Sequence, residues 1–308
     1  MKTKVLYKII QSIKNPNLVL RKIWISSSKL IDSDKIYLKV LYYLSIGKTI
    51  DFNNPKTFTQ KIQWLKLYNN SPICTKMVDK YEVREIIKEK IGEEYLIPLY
   101  GVWEDFNEIN FETLPNEFVL KTTHDSGSIV ICKDKSKLDF NAARKILNSS
   151  LKKNYFWKTR EYPYRDVKPR IIAEKLMSNE DGSDLSDYKF LCFNGKPEVL
   201  FFASQRFNNR NEPAKFDFYD MELNHLPFRS KGHKNSEQIL KNINSFSKMK
   251  YLSEKLSNGF PHLRVDLYLI NGRIYFGELT FHHDSGIVPF IPKEWDERLG
   301  NMIRLDKG

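Results

Sequence analysis

Apolar residues recur along the chain with two different periods. In the first third, and again near the C-terminus, they return every three or four positions, as expected for helices with one buried face. This period predicts helices at 35–48, 57–69, 75–92, 139–154, 236–258 and 291–305. Thr57 is a suitable N-cap for the second helix, while Gly47 and Gly92 would end the first and the third.

Between these helices the period changes to two, which predicts short β-strands separated by turns. The strands are expected within 95–103, 117–134, 169–177, 187–204, 215–228 and 264–281. The pairs Asn194-Gly195 and Asn271-Gly272 are strong hairpin signals. Helices mixed with mostly antiparallel strands indicate an α+β fold.

Composition narrows the class of protein. The chain has 308 residues, 41% of them hydrophobic and 13% aromatic, and no apolar run of membrane-spanning length. The three cysteines are far apart and odd in number, which favours a reducing cytoplasm, and the N-terminus has no signal-peptide cleavage site. The net charge of +12 predicts an anionic partner, but no nucleic-acid-binding motif is present, so nucleic acid is not expected.

Two acids lie in the last predicted hairpin, Asp266 on its first strand and Glu278 on its second. Because side chains alternate along a strand, Arg264 and Asp266 share one face. A two-residue turn at Asn271-Gly272 would put Glu278 on the other face, whereas an odd-length loop or a bulge would bring the acids together. A shared site therefore predicts a three-residue, odd-length loop.

Paired carboxylates need a cation or a proton between them. A site with few oxygen ligands suits Mg²⁺, which keeps water molecules and takes substrate phosphates as further ligands. The alternative is that Asp266 and Glu278 form structural ion pairs with Arg264 and surface lysines. His282 and His283 follow directly, but adjacent histidines on an extended chain point to opposite sides, so zinc is not expected.

Three earlier segments have weaker signals for phosphate or nucleotide binding. Lys121 ends an apolar strand and precedes a small, polar loop with Gly127, which could fold over phosphates or be an ordinary β-turn. The strand in 170–177 ends where an adenine ring could lie, and Lys189 begins another strand.

Taken in this order, the segments resemble the ATP-grasp superfamily, and within it the TupA-like group associated with bacterial cell-surface polysaccharide and teichuronopeptide synthesis. The segments that carry the resemblance run from residues 54–68 to residues 292–300. Together they cover nearly all of the chain after about residue 35. It implies mostly antiparallel sheets with flanking helices, a nucleotide held between two lobes, and an N-terminal helical extension.

The resemblance also implies roles for individual residues. Those that would contact ATP are the strand lysine Lys121, the flap Ser126, Gly127 and Ser128, the adenine hinge Glu174, Lys175, Leu176 and Met177, and Lys189. Arg264 would stabilise the acyl-phosphate transition state, and Asp266 and Glu278 would bind Mg²⁺. Thr280 stands where many family members have a third metal ligand, Asn, and a hydroxyl is the weaker ligand.

The implied domains are a basic helical extension at 1–50, an N-terminal lobe at 51–110, a flap and ATP-binding subdomain at 111–177, and a C-terminal lobe at 178–308. For the extension, a surface helix is the first interpretation and membrane attachment the alternative.

The implied activity is ATP-dependent ligation of a carboxylate to an amine through an acyl phosphate, with ATP and Mg²⁺ as cofactors. The substrate would be a small molecule or a polysaccharide precursor, and the protein would be cytoplasmic, with peripheral contact to the inner membrane face as an option. The alternatives are a glycosyltransferase, which would need a nucleotide-sugar site, and a non-catalytic module that binds membrane or acidic polymer through its basic N-terminus.

Overall fold

The computed structural model describes residues 16–181, 185–204, 215–236, 240, 243 and 245–305. The helices in this part of the chain are α1 Pro16–Ser26, α2 Asp34–Ile46, α3 Phe58–Tyr68, α4 Pro72–Val78, α5 Val83–Lys90, α6 Phe140–Leu151, α7 Phe156–Thr159, α8 Phe246–Ser257 and α9 Glu294–Met302. The strands are β1 Leu99–Trp103, β2 Phe118–Thr122, β3 Ile129–Cys132, β4 Ile171–Lys175, β5 Ser186–Phe193, β6 Lys196–Ser204, β7 Lys215–Tyr219, β8 Arg229–Ser230, β9 His262–Ile270, β10 Arg273–Thr280 and β11 Phe290–Ile291.

The strands form two main antiparallel sheets. The first has the order β1-β4-β2-β3, and the second has the order β10-β9-β5-β6-β7. A short ribbon joins β8 to β11. Antiparallel sheets with flanking helices confirm the predicted α+β fold.

Each main sheet has its own hydrophobic core. One face of the first sheet packs against α6, with Leu120 and Leu147 fully buried. The second sheet is covered on both faces. One face, with Phe190, packs against α8, and the other, with Phe201, packs against α3 and α9. Since the two sheets are stabilised separately, the space between them is free to hold a ligand.

The N-terminal helices are anchored by aromatic contacts. Tyr37 of α2 is fully buried, and the ring of Trp24 from α1 stacks on it with centroids 5.8 Å apart. No residue of α1 is fully buried, and Leu20 and Ile23 are exposed. None of the helices in the described ranges has the length and apolarity needed to cross a bilayer. Residues 1–15 of the predicted extension lie outside the described part.

The predicted helix boundaries are confirmed at two caps. Thr57 accepts a hydrogen bond from the backbone N–H of Gln60, and the side chain of Gln60 returns to the backbone N–H of Thr57, which makes a capping box at the start of α3. Gly47 ends α2 in the left-handed conformation at φ 80°, and its N–H bonds to the oxygen of Tyr43.

Three predicted elements are corrected by the structure. The single helix expected at 75–92 is two helices, because the carboxylate of Asp79 accepts the N–H groups of Tyr81 and Glu82 and turns the chain between them. The strand expected at 215–228 ends at Tyr219, where Asp220 accepts N–H groups of the following turn. The helix expected to begin near 236 begins at Phe246.

The loop of the last hairpin is also different from the prediction. Ile270 pairs with Arg273, so the turn has two residues, Asn271 at φ 51° and Gly272 at φ 75°. Two left-handed residues in succession match the right-handed twist of a hairpin, and the Asn-Gly pair adopts them at little cost. The prediction of an odd-length loop is therefore wrong. The register changes instead at a bulge within β10, at Gly277.

Candidate active site

The bulge brings three charged side chains into one row. In the register of the second sheet, Lys189 on β5 lies beside Asp266 on β9, which lies beside Glu278 on β10. Without the bulge, Glu278 would pair with Val265 and face the hydrophobic core under α8. The extra residue, Gly277, therefore places the second acid beside the first.

Gly277 is the residue that the bulge requires. A Cβ atom at this position would lie 3.0 Å from the backbone oxygen of Asp266 and 3.1 Å from the ring of Tyr268. These distances are tighter than nearly all real Cβ contacts. A glycine inside a strand often marks such a bulge, and here it fixes the face on which Glu278 lies.

The two acids are already paired with basic side chains. Arg264 donates from Nε to Asp266 Oδ1 at 2.7 Å and from a terminal nitrogen to Glu278 Oε1 at 2.7 Å. Lys189 donates to Asp266 and forms an ion pair with Asp187 Oδ2 at 2.7 Å. Burial acts to raise the pKa of Asp266, but the charges of Arg264 and Lys189 outweigh it and lower the pKa to about 2.

The acids differ in how accessible they are. The side chain of Asp266 is 1% exposed, whereas that of Glu278 is 44% exposed. Thr280 lies beside Arg264 in the register and is partly exposed. In the part of the chain that the structure describes, no group of three or more His, Cys, Asp or Glu side chains could hold a metal ion. A metal here would thus have few protein ligands and would need ligands from water or substrate.

A cleft of about 1350 Å³ opens between the two main sheets. Gly277, next to Glu278, lines it, whereas Lys189, Arg264, Asp266, Glu278 and Thr280 are not among its lining residues. One wall includes Ile129 and Ile131 of β3, which are 48% and 45% exposed and turn an apolar surface toward the cleft. The opposite wall includes Phe276 and Gly277 of β10. Apolar surface together with basic side chains such as Lys80 and Lys121 suits a flat ring system that carries an anionic chain.

The hinge residues lie along this cleft. Glu174, Lys175, Leu176 and Met177 all line it. Glu174 is 6% exposed and pairs with Lys121 Nζ at 2.6 Å and with Arg84 at 3.5 Å. The backbone N–H of Lys175 bonds to the oxygen of Pro98 at 2.9 Å, so this N–H is not available to a ligand at the hinge.

The flap loop is ordered by one aspartate. Asp125 accepts hydrogen bonds from the hydroxyls of Thr122, Ser128 and Ser150. Burial acts to raise the pKa of Asp125, but these three hydrogen bonds outweigh it and lower the pKa. Ser126, Gly127 and Ser128 form the tip beyond it, outside the lining of the cleft, with Gly127 at φ 96°.

Lys80 lines the cleft and was missed by the sequence reasoning. Its backbone N–H bonds to the oxygen of Thr123 at 3.2 Å, and its ammonium bonds to the oxygen of Asp125, so it fastens the flap to the loop after α4. Burial lowers the pKa of Lys80, and the charges of Glu278 and Lys121 also act on it. No pattern identified this residue, because the single helix predicted at 75–92 placed it on a helix surface.

The histidines next to the acids are buried. His283 Nδ1 lies 3.4 Å from Arg264, which makes it an acceptor, and burial lowers the pKa of His283. His282 lies 3.5 Å from Glu161, and burial lowers its pKa as well. His124, in the flap, lies 3.1 Å from the oxygen of Ser150. These rings position the loops around the acids.

The loop after β10 is held in an unusual conformation. Asp284 and Ser285 have left-handed φ values of 47° and 54°, which cost free energy for residues with a side chain. The buried ammonium of Lys66 donates to both the backbone oxygen and the hydroxyl of Ser285, at 2.8 and 2.7 Å. Burial lowers the pKa of Lys66 to about 8. A buried polar cluster thus fixes the chain beside Arg264.

Comparisons with known proteins identify the family of the chain. The family model described as TupA-like ATPgrasp matches residues 60–304. A search of curated proteins found no match.

Solved structures with a similar fold share little sequence with the chain. They include an L-amino acid ligase from Bacillus licheniformis, with 13% identity, a TM-score of 0.46, and coverage of 74% of this chain and 50% of that one. A D-alanine–D-alanine ligase from Bacillus anthracis complexed with ATP has 14% identity, a TM-score of 0.39, and coverage of 74% and 60%. The biotin carboxylase domain of a 2-oxoglutarate carboxylase from Hydrogenobacter thermophilus has 15% identity, a TM-score of 0.42, and coverage of 75% and 47%.

The chain thus spans about half the length of these structures. At such TM-scores they say nothing about its activity. The family model, in contrast, covers most of the sequence, including both main sheets, the cleft and the row of charged residues. The chain therefore belongs to the TupA-like ATP-grasp family.

Proposed function

We propose that the protein is an ATP-dependent carboxylate-amine ligase that works through an acyl phosphate. The observation that supports this most is the pairing of Asp266 with Glu278 across β9 and β10, beside Arg264 and next to Gly277, which lines the cleft. Ordinary structural ion pairs would not need a glycine bulge to bring the second acid onto this face.

The residues present fit ATP. The cleft has room for a nucleotide, with the apolar side chains of Ile129 and Ile131 on one wall and Leu176 and Met177 at the hinge for the adenine ring. Lys80 and Lys121 lie between the hinge and the acids, where they would neutralise phosphates. Lys189 is a further candidate, although it must leave Asp266 or Asp187 to reach a phosphate.

The residues also fit Mg²⁺. Asp266 and Glu278 would hold it, with Thr280 as a weaker third ligand, and the phosphates would supply the remaining oxygens. Bound there, the ion would neutralise charge on the transferring phosphoryl group. Ser126, Gly127 and Ser128 would close over the phosphates from the flap, which Asp125 holds by its hydrogen bonds.

The chain's own residues then need only position the reactants and stabilise charge. The acceptor carboxylate attacks the terminal phosphorus and ADP leaves. The amine next attacks the carbonyl carbon, the C–N bond forms, and inorganic phosphate leaves. Arg264 is held by Asp266, Glu278 and His283, which take four of its five N–H groups, and it would present the remaining N–H in a fixed direction to the developing charge.

For the substrate we propose a uronic acid or amino acid used to build a bacterial surface polymer, as the family resemblance implies. The proposed location is the cytoplasm, with α1 in contact with the inner membrane face. Leu20 and Ile23 are 50% and 58% exposed on this helix. Residues 1–31 contain seven Lys and Arg and no Asp or Glu. Cations beside exposed apolar side chains suit an anionic membrane surface.

The test is phosphate release with pairs of candidate uronates and amino acids in the presence of MgATP, followed by mass analysis of the product. An amide product that depends on both substrates and on Glu278 supports the proposal. Activity that is unchanged in Glu278→Gln contradicts it. Stabilisation by nucleotide sugars but not by MgATP would favour a glycosyltransferase, and failure to bind any nucleotide would favour a non-catalytic module.

A further inference from the structure

The loop after β10 presents a carboxylate that the proposed reaction does not use. The side chain of Asp284 is 33% exposed, and Nε2 of His283 lies 3.6 Å from its Oδ2. Among the described residues, no lysine or arginine forms an ion pair with this carboxylate. A carboxylate that lacks a cationic partner within the protein attracts a cationic ligand.

The fold fixes the position of Asp284. Its φ of 47° and the φ of 54° at Ser285 are left-handed, which costs free energy for residues with a side chain. Gln63 of α3 donates to the backbone oxygens of Ser285 and Gly286, at 2.8 and 2.9 Å. A Cβ atom at Gly286 would lie 2.8 Å from Ile62, so the loop is seated directly on α3. The carboxylate is therefore in place before any substrate arrives.

Behind Asp284, the ring of His283 links it to Arg264. Nδ1 of His283 accepts a hydrogen bond from Arg264 at 3.4 Å, so the ring is neutral and carries its proton on Nε2. This buried N–H has no hydrogen-bond partner in the described part of the chain, and its distance to Asp284 is slightly too long for a hydrogen bond. The neutral ring holds the carboxylate beside Arg264 and leaves its charge uncompensated.

Two tyrosines lie near the same carboxylate. The rings of Tyr155 and Tyr164 are 5.1 Å apart, and both side chains are partly exposed. Burial raises the pKa of both hydroxyls, and the charge of Glu278 raises both further. The charge of Asp284 also raises the pKa of Tyr155. Aromatic rings beside an unpaired carboxylate favour an organic cation.

Asp284 acts on the same guanidinium as the two metal-binding acids. Burial acts to lower the pKa of Arg264, but the charges of Asp266, Glu278 and Asp284 outweigh it and raise the pKa. Arg264 would attract the anionic substrates and repel a basic amine, which is protonated near neutral pH. The amine therefore needs a negative charge close to Arg264, and Asp284 supplies one.

We propose that Asp284 binds the amine substrate as its ammonium ion, beside Tyr155 and Tyr164 and within reach of the acyl phosphate at Arg264. This inference rests on the proposed ligase function and assigns the residue that selects its nucleophile by charge. Once bound, the ammonium loses a proton to water. Its nitrogen lone pair then forms the C–N bond, and inorganic phosphate leaves.

The first test is titration of the full chain with propylammonium, followed by ligand-observed NMR, with propanol as an uncharged probe of the same shape. The variant is Asp284→Asn, which removes the charge and keeps a residue that tolerates the left-handed conformation. It should lose at least about tenfold in propylammonium affinity, because a charge-assisted hydrogen bond is lost. The matched control is Asp32→Asn, which removes the same charge from an exposed position in the N-terminal region and should bind as the wild type does.

A second measurement compares two nucleophiles in MgATP-dependent ligation to galacturonate. Near neutral pH the amine of glycine is protonated, whereas hydroxylamine is uncharged. Asp284→Asn should raise KM for glycine at least about tenfold and leave KM for hydroxylamine and for ATP unchanged. Equal increases in all three would mean that Asp284 only supports the structure, and would overturn the assignment.

The inference is also overturned if Asp284→Asn binds propylammonium as the wild type does, if Asp32→Asn loses as much affinity, if propanol binds as tightly, or if the wild type binds neither probe. Titration of the same samples with MgADP separates this inference from the ligase. Protein that binds MgADP but not propylammonium refutes only the inference. Binding of propylammonium that depends on Asp284, without any nucleotide binding, refutes the ligase instead.

Discussion

The backbone oxygen of Asp266 lies 3.0 Å from the position that a Cβ atom of residue 277 would occupy, so Gly277 allows β9 and β10 to approach this closely. We expect Gly277→Ala to push the strands apart and move Glu278 away from Asp266. Its cost in unfolding free energy should be about 1–3 kcal/mol, as for other overpacked sites. Urea unfolding measures that cost, and a titration of MgADP measures the loss of binding.

Gly272→Ala is the control for this change. Gly272 has φ 75° and no neighbour within 4 Å of an added Cβ, so alanine there strains the turn without touching the acids. It should lose about 1 kcal/mol of stability and keep its MgADP affinity. Equal losses of affinity in both variants would show that the bulge has no special role.

The two acids should respond differently to neutralisation. Asp266→Asn leaves Arg264 and Lys189 buried without their carboxylate, which costs about 3–5 kcal/mol of stability. Glu278→Gln should cost less than about 1 kcal/mol, because Glu278 is 44% exposed, yet it should abolish Mg²⁺-dependent nucleotide binding. Urea unfolding and titration of ADP with and without Mg²⁺ separate the two effects. A Glu278→Gln variant with wild-type MgADP affinity would contradict the assignment.

Stability should also fall in acid because of Asp266. Its pKa is lowered from 3.8 to about 2 in the folded protein, so its contribution is fully present above pH 3.8 and is lost as the pH falls toward 2. The contribution is on the order of 2 kcal/mol. Lys189→Met removes one of the two charges that lower the pKa, so this variant should lose less stability than the wild type as the pH falls below 3.8. Unfolding free energies at pH 5, 4 and 3 test this, and coincident profiles for both proteins would disprove it.

Two lysines along the cleft should have unequal roles in nucleotide binding. Lys80→Met removes the ammonium that fastens the flap at Asp125, and we expect at least about tenfold weaker MgADP binding. Lys175→Met is the comparison, since this hinge side chain is exposed and its backbone N–H is bonded to the oxygen of Pro98. Its affinity should stay within about twofold. Fluorescence titration with a labelled nucleotide compares the two.

The exposed helix α1 should bind anionic membranes. Sedimentation with phosphatidylcholine vesicles that contain phosphatidylglycerol should recover the protein, and vesicles of phosphatidylcholine alone should not. Leu20→Glu combined with Ile23→Glu should abolish recovery. Ile146→Glu, at a position that is 43% exposed on α6, should leave it unchanged. Equal recovery of both variants would remove the case for membrane contact.

Much of the fold follows from local rules. The N-cap at Thr57, the left-handed Gly47 and the hairpin at Asn194-Gly195 each depend on residues close in sequence, and all are found as predicted. The break at Asp79 was missed because helical spacing continues through it. Only the side chain's bonds to the following N–H groups stop the helix.

In the candidate site, the pairing of the two acids was predictable from the sequence and the register that produces it was not. Asp266 and Glu278 were predicted to share a site, but the irregularity that brings them together was predicted in the hairpin loop. In the structure it is a bulge within β10. From the sequence, Gly277 cannot be distinguished from any other glycine in a strand. Its role follows from the backbone oxygen of Asp266, which leaves no room for a Cβ atom at this position. Lys80 and Lys66 could not be identified from the sequence for a related reason, because their partners, Asp125 and Ser285, are distant in sequence. The four domain boundaries stay a prediction.

The ion pairs around Asp266 set the order in which ligands can arrive. Lys189 and Arg264 bring two positive charges to the three negative charges of Asp187, Asp266 and Glu278, so the empty site has only a small net charge. Free Mg²⁺ would find little attraction there. A nucleotide with Mg²⁺ already bound would bring its own anionic oxygens. These would attract the ammonium of Lys189 away from Asp187 and Asp266. On the proposed function, metal and ATP therefore enter together, and the bare protein should titrate with Mg²⁺ only weakly.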